Sequence, residues 1–223
     1  MPRLARVDLG DYVYHVINRA IGRLKIFESE KDYLLFEEAL ADAKEETGMR
    51  ILAYAIMPNH WHLVLYPRNA GDLGTFMHRL TNTHTRRVHV RTRTIGHGSL
   101  YQGRYKSFIV QNDSHFLTLL KYVERNPVRA KLSQTCEGWR WGSAWRRING
   151  THEQRALIDA SPVSLPDRYR IWINAPEKSD DLKAMRLSVN KGVPYGEDRW
   201  VDAMVEEYGL ETTRRPAGRP KKS

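Results

Sequence analysis

The sequence predicts an α+β protein: a four-stranded antiparallel sheet with helices on one face, followed by a helical extension and a basic tail. Three observations predict it. Two-residue alternation marks short strands, three- and four-residue apolar spacing marks two long helices, and the elements succeed one another as strand, helix, strand, strand, helix, strand. That order is the ferredoxin-like (RRM-like) arrangement, in which both helices cover one face of the sheet and the other face stays open.

Each element has a local cause. Over Tyr12–Asn18, Val13, His15 and Ile17 alternate with Tyr14 and Val16, as in a strand. A polar, basic connection runs through residues 18–25. In Ser29–Thr47, Tyr33, Phe36, Leu40 and Ala43 recur at helical spacing, with Ser29 as N-cap, Gly48 as stop and the acidic residues expected on the outer face. Arg50–Ile56 and His60–Leu65 flank Met57-Pro58-Asn59 and should pair as a hairpin. Asp72 is placed to cap a helix from Leu73 to about Val90, with Leu73, Phe76, Met77, Leu80 and His84 on one face. Lys106–Val110 reads as the fourth strand. A further helix, capped by Asn112, Asp113 or Ser114, carries the apolar stripe Phe116, Leu119, Leu120 and Val123 and runs to Asn126, because Pro127 disfavours helical geometry before it. Residues 1–150 read as one domain, 151–210 as short helices with proline-containing loops, and 211–223 as a flexible basic tail with a Gly-Arg-Pro core resembling an AT-hook.

Lys and Arg number 36 against 26 Asp and Glu, a net charge of +10, and hydrophobic residues make up 41%, enough for a packed core. No apolar run approaches the ~20 residues that cross a bilayer, and the opening residues lack a signal-peptide pattern. Cys136 is the single cysteine, so no internal disulfide is expected, and a cytoplasmic protein without a membrane partner is the expectation. The charge is uneven. Residues 73–112 hold no Asp or Glu but carry Arg79, Arg86, Arg87, Arg91, Arg93, Arg104 and Lys106, a stripe suited to a phosphate backbone.

The chemistry concentrates in two places. In Pro58-Asn59-His60-Trp61-His62-Leu63-Val64-Leu65 the strand period sends His60 and His62 to one face and Trp61, Leu63 and Leu65 to the other. Two imidazoles about 7 Å apart along a strand can converge on one divalent cation; the alternative is ordinary polar groups on a half-buried sheet. On the late helix, Tyr122 and Asn126 are four residues apart and share a face, so a phenol and an amide oxygen can be aimed together at the sheet. The alternative there is boundary packing for Tyr122 and a C-cap for Asn126.

A resemblance bears on both choices. His60-Trp61-His62 is similar to the histidine-hydrophobe-histidine signature of HUH nucleases, and residues 121–130 resemble the catalytic helix of single-tyrosine transposases. Tyr14-His15-Val16-Ile17-Asn18-Arg19 and Gly103-Arg104-Tyr105-Lys106-Ser107 resemble the REP-associated tyrosine transposases, so that the likeness spans residues 10 to 145. It implies an enzyme that binds single-stranded DNA folded into a hairpin and cuts beside it through a 5′-phosphotyrosine. By this resemblance Tyr122 is the nucleophile, and His60, His62 and Asn126 hold Mg²⁺ or Mn²⁺. Relatives often carry glutamine at the Asn126 position. His115 stands where many members have a tyrosine, which leaves Tyr122 as the one nucleophile. Arg19, Arg23, Arg104, Lys106, Arg125 and Arg129 are the expected DNA contacts, in a monomer or a homodimer. Two other readings compete: a hairpin-binding protein that keeps the fold but not the chemistry, and a metal-dependent hydrolase that uses water in place of Tyr122.

Overall fold

The computed structural model describes residues 7–96 and 98–214. In chain order its first six elements are β1 (Val13–Arg19), α1 (Glu30–Thr47), β2 (Arg50–Met57), β3 (His60–Tyr66), α2 (Asp72–Thr92) and β4 (Lys106–Val110). The strands form one antiparallel sheet in the order β2-β3-β1-β4, the ferredoxin-like order. There follow α3 (Ser114–Glu124), α4 (Asn126–Arg129), α5 (Ser143–Asn149), α6 (His152–Arg155), α7 (Tyr169–Asn174), α8 (Ser179–Lys191), α9 (Asp198–Glu207) and α10 (Glu211–Arg214). The extension is thus built of short helices, as expected. Residues 211–214, assigned to the flexible tail, form α10 instead, and Arg214 pairs with Asp202 at 2.5 Å. The Gly-Arg-Pro segment lies outside the described residues.

Helices α1 and α2 cover the face carrying Tyr14, Val16, Tyr54, Ile56, Trp61, Leu63 and Leu65. Helix α1 starts at Ser29, whose backbone N–H donates to Asp32 Oδ2 at 2.7 Å, and stops at Gly48, which takes the left-handed conformation (φ 67°) that ends a helix without a Cβ penalty. The start of α2 differs from expectation. Asp72 turns back to accept from Asn69 N at 2.8 Å, and the exposed helix donors go instead to Asp8, whose carboxylate accepts from Gly71 N (3.1 Å), Leu73 N (3.2 Å) and Gly74 N (2.8 Å). A residue outside the helix does the capping because its charge offsets the positive end of the helix dipole from the side.

The acidic residues of α1 are not simply an outer face. Asp42 pairs with Arg87 at 2.5 Å, Glu46 with Arg79, and the buried Asp32 with Arg91. Three arginines of the acid-free stretch are therefore spent on α1. Among the described residues, no ion pair holds Arg86, Arg93, Arg104 or Lys106.

The opposite face of the sheet, expected to be open, is covered. Phe116, Leu119, Leu120 and Val123 of α3 pack there on Val13, Ala53, Ala55, Val64 and Phe108, and Met185 of α8 joins them. A bulge between Ile51 and Ala53 turns both Leu52 and Ala53 to this face, and the small side chains of Ala53 and Ala55 leave room for a helix to settle close to the backbone.

Both sheet edges are also closed. Outside β2, Ile56 N donates to Trp141 O (2.9 Å) and Tyr54 N to Ser143 Oγ (3.0 Å). Outside β4, Gln111 N donates to Tyr195 O and Tyr195 N to Ile109 O, each at 2.9 Å. Replacing Asp8 removes the acceptor of three backbone hydrogen bonds at one helix start without touching the site. Asp8→Ala should lower unfolding stability by about 0.5–2 kcal/mol, read as a fall in the denaturant midpoint at unchanged m-value.

Candidate active site

The sheet register brings three histidines together on the α3 face. Ile17 pairs with His62 and Arg19 with His60 between β1 and β3, and His15, opposite Val64, stands diagonally from His62. A 2.8 Å hydrogen bond joins His15 Nε2 and His62 Nδ1, and a 2.6 Å bond joins His60 Nδ1 to Asn59 Oδ1. The rings of His60 and His62 are 5.1 Å apart, edge to face. Trp61 points the other way into the core, its Nε1–H donating to Tyr101 at 3.0 Å. Alternation alone thus placed His60, Trp61 and His62 on their correct faces.

Burial dominates the electrostatics of these imidazoles, because a charged ring would lose its hydration. It lowers His15 to about 3, and it lowers His60 to about 4 with help from the nearby Arg19 cation. His62 is pushed well below its ordinary range by burial and then by its histidine neighbours. All three are neutral at pH 7.

Tyr122 arrives from the opposite layer. Its ring centroid lies 6.2 Å from that of His62 and 6.4 Å from that of His15, on the same side of the sheet. Asn126 follows at the start of α4, after a brief break at Arg125 (φ −88°, ψ −3°) that earns no loss of direction, since Arg125 N still bonds Lys121 O at 3.0 Å and Ala130 N bonds Asn126 O at 2.9 Å. Arg129 binds this pair together. Its Nη2 donates to Asn126 Oδ1 (2.7 Å) and to the Tyr122 carbonyl (2.6 Å), and its guanidinium carbon sits 4.2 Å from the Tyr122 ring centroid. Burial raises the Tyr122 phenol above its ordinary value, while the Arg129 and Arg186 cations pull it back.

The expected DNA contacts divide. Arg19, Arg104 and Lys106 line a cleft of about 290 Å³ that Asn190 of α8 also lines; no histidine lines it, and Arg19 is the strand partner of His60. Arg23 is exposed on the turn after β1, where its carbonyl accepts from Asn59 Nδ2 at 3.3 Å. Arg125 and Arg129 are engaged internally. Arg125 is buried, donating to Glu177 (2.6 Å), Ile173 O (3.2 Å) and Asn174 O (2.6 Å). Arg129 donates to Glu177 through Nη1. The Arg125 donors thus go to the extension, and those of Arg129 are divided between Glu177 and the Tyr122–Asn126 pair, so neither side chain presents a free guanidinium to a phosphate. His115 bonds its neighbour Asp113 at 2.7 Å and meets the Tyr195 ring at 5.3 Å. Sequence reasoning missed His15, Glu177 and Arg186. His15 was within reach, since it shares the alternation of Val13 and Ile17, whereas Glu177 and Arg186 are distant in sequence and carry no local signal.

The ferredoxin-like sheet thus carries paired imidazoles on β3 with the buried Tyr122 over them. Residues 9–126, more than half of the chain, match the profile of the "Transposase IS200 like" family, and the chain belongs to that family. No curated protein matches it significantly. Among solved structures it is similar to a REP-associated tyrosine transposase bound to a REP hairpin, with a TM-score of 0.58 and 14% identity over 80% of this chain and 93% of that one. A protein described as a transposase from Deinococcus radiodurans R1 matches with a TM-score of 0.39 and 20% identity, over 56% of this chain and 97% of that one. Among the described residues no helix is long and apolar enough to cross a membrane.

The depressed histidines make stability depend on pH. Their folded values lie below the ~6.5 of the unfolded chain, so between these limits the unfolded state binds protons that the native state refuses. The stability they contribute is complete above pH ~6.5 and is lost on acidification toward the folded values, at about 1.4 kcal/mol per pH unit for each such histidine. Urea midpoints measured from pH 7.5 to 5 should fall steeply; a flat profile would contradict the buried neutral assignment.

Proposed function

We propose that this chain is a single-tyrosine DNA nuclease and strand transferase that cuts single-stranded DNA beside a hairpin, with Tyr122 as nucleophile. The observation that carries the reading is the meeting of Tyr122 with His62 across the α3 layer, 6.2 Å between ring centroids. Family membership supports the DNA substrate, and the REP hairpin held by the structural relative supports the hairpin.

The donor set suits a divalent cation, Mg²⁺ or Mn²⁺. His60 and His62 are neutral, and each has its Nδ1 engaged by an outer partner, which leaves Nε2 as the ligating atom. Among the described residues no three His, Cys, Asp or Glu side chains gather to hold a metal, and the resemblance to single-tyrosine transposases assigns the third donor to the Asn126 amide. Asn126 Oδ1 accepts from Arg129 and keeps a second lone pair for that purpose. When bound, the cation would neutralise charge on the scissile phosphate and favour in-line displacement.

The chain's own residues do the rest. Arg19, Arg104 and Lys106 draw the strand along the cleft by neutralising phosphates. The Tyr122 oxygen attacks phosphorus, an O–P bond forms, the bond to the 3′ oxygen breaks, the phenolic proton leaves and the 3′ oxygen takes one up. The 5′ end stays on Tyr122. Attack by that or another 3′-hydroxyl reverses the step, and the retained phosphodiester energy makes ATP unnecessary.

Labelled single-stranded hairpin DNA with Mg²⁺ should give a denaturation-resistant protein–DNA adduct that Tyr122→Phe abolishes. Binding without cutting by the unaltered protein would favour a hairpin-binding role, and cleavage surviving Tyr122→Phe would favour attack by water. Separately, His62→Ala should slow adduct formation by about 10²-fold while leaving hairpin binding largely intact, as gel-shift titration would show.

A further inference from the structure

Glu177 lies in the connection between α7 and α8, well beyond the residues that match the transposase family. Its side chain is 6% exposed and sits between two guanidinium groups, accepting from Arg125 Nε at 2.6 Å on one oxygen and from Arg129 Nη1 on the other. Arg125 in turn donates to Ile173 O and Asn174 O at the end of α7. Asn174 is itself fixed, since its Oδ1 accepts from Cys136 N at 2.9 Å and its Nδ2 donates to Glu137 at 2.7 Å. The connection carrying Glu177 is therefore fastened to the end of α3 before Arg129 is considered.

Arg129 has a long, rotamer-rich side chain, and a fixed anion at its far end restricts it to the position over a phenol ring from which the same head donates to an amide. Glu177 supplies that anion. Were Arg125 the only partner in need, one carboxylate oxygen would suffice; the second oxygen is directed to the arginine that touches Tyr122 and Asn126.

We propose that Glu177 is a positioning residue of the active site, holding Arg129 across the Tyr122 ring and against the Asn126 amide, so that the C-terminal extension completes the site. The roles of Tyr122 and Asn126 in this statement rest on the proposed function; the positioning itself does not.

Two measurements on the full chain test it. With hairpin DNA already bound, Glu177→Gln should slow adduct formation about 10- to 100-fold while hairpin affinity changes little, and Glu177→Asp, which keeps the charge, should recover part of the rate. With 3-fluorotyrosine at position 122, the fluorine NMR resonance should shift or broaden in Glu177→Gln and in Arg129→Lys. It should stay put in Glu37→Gln, which disturbs a different buried ion pair, Glu37 with Arg146 at 2.7 Å. An unmoved resonance in Glu177→Gln overturns the proposal, and so does a rate loss matched by an equal loss of affinity. If Glu177→Gln does not fold, Glu177→Asp carries the fluorine measurement, with a smaller displacement expected and none overturning the idea. Should the unaltered protein form no adduct at all, the proposed function fails, and the fluorine resonance alone decides whether Glu177 holds the ring.

Discussion

Helix α3 lies across the face of the sheet that carries His15, His60 and His62, and every group at the site responds to the dry layer this creates. Packing Phe116, Leu119 and Val123 onto Ala53, Ala55 and Val64 excludes water from the imidazoles, keeps them neutral and strengthens each remaining polar contact. The same exclusion has a cost. His15 Nδ1 and Asn126 Nδ2 are buried without hydrogen-bond partners among the described residues, at about 1–3 kcal/mol each. Both lie at the site, where a fold can trade stability for chemistry.

Much of this was legible in the residues. Period-two alternation fixed the faces of His60, Trp61 and His62, and helical spacing placed Tyr122 beside Asn126. Less legible was the layer above. Leu119 and Leu120 read as a core stripe, but no local pattern says which side of a sheet a third helix will choose, and the bulge at Leu52 breaks the alternation that would have shown β2 to be apolar on both faces. Charge misled in a definite way. The acid-free stretch containing α2 reads as a free polyanion surface, yet Arg79, Arg87 and Arg91 answer Glu46, Asp42 and Asp32 across the helix pair. Composition counts charges without pairing them, and only tertiary packing tells which remain available.

Segments after α3, α5 and the extension alike, join the sheet layer through buried carboxylates as well as through apolar packing. Glu124 accepts from Ser143 Oγ at 2.5 Å, from Arg147 at 3.3 Å and from Tyr169, whose phenol burial, and then the Glu124 charge, hold strongly toward the protonated form. Glu37 does likewise for Tyr54 (2.5 Å) and Arg146 (2.7 Å). Such pairs add little net stability over apolar packing of equal volume, because desolvation consumes most of the attraction. Their geometric demand is strict, however, and segments far apart in sequence gain one orientation in which every donor and acceptor is met.

The covered borders of the sheet bear on assembly. Residues 141–143 already occupy the outward backbone N–H groups of Tyr54 and Ile56 in β2, and Tyr195 occupies the end of β4. Fusion of two sheets through the β2 edge, a cheap route for antiparallel sheets, would have to displace those partners. Each chain keeps a phenol and imidazoles of its own within a single polypeptide.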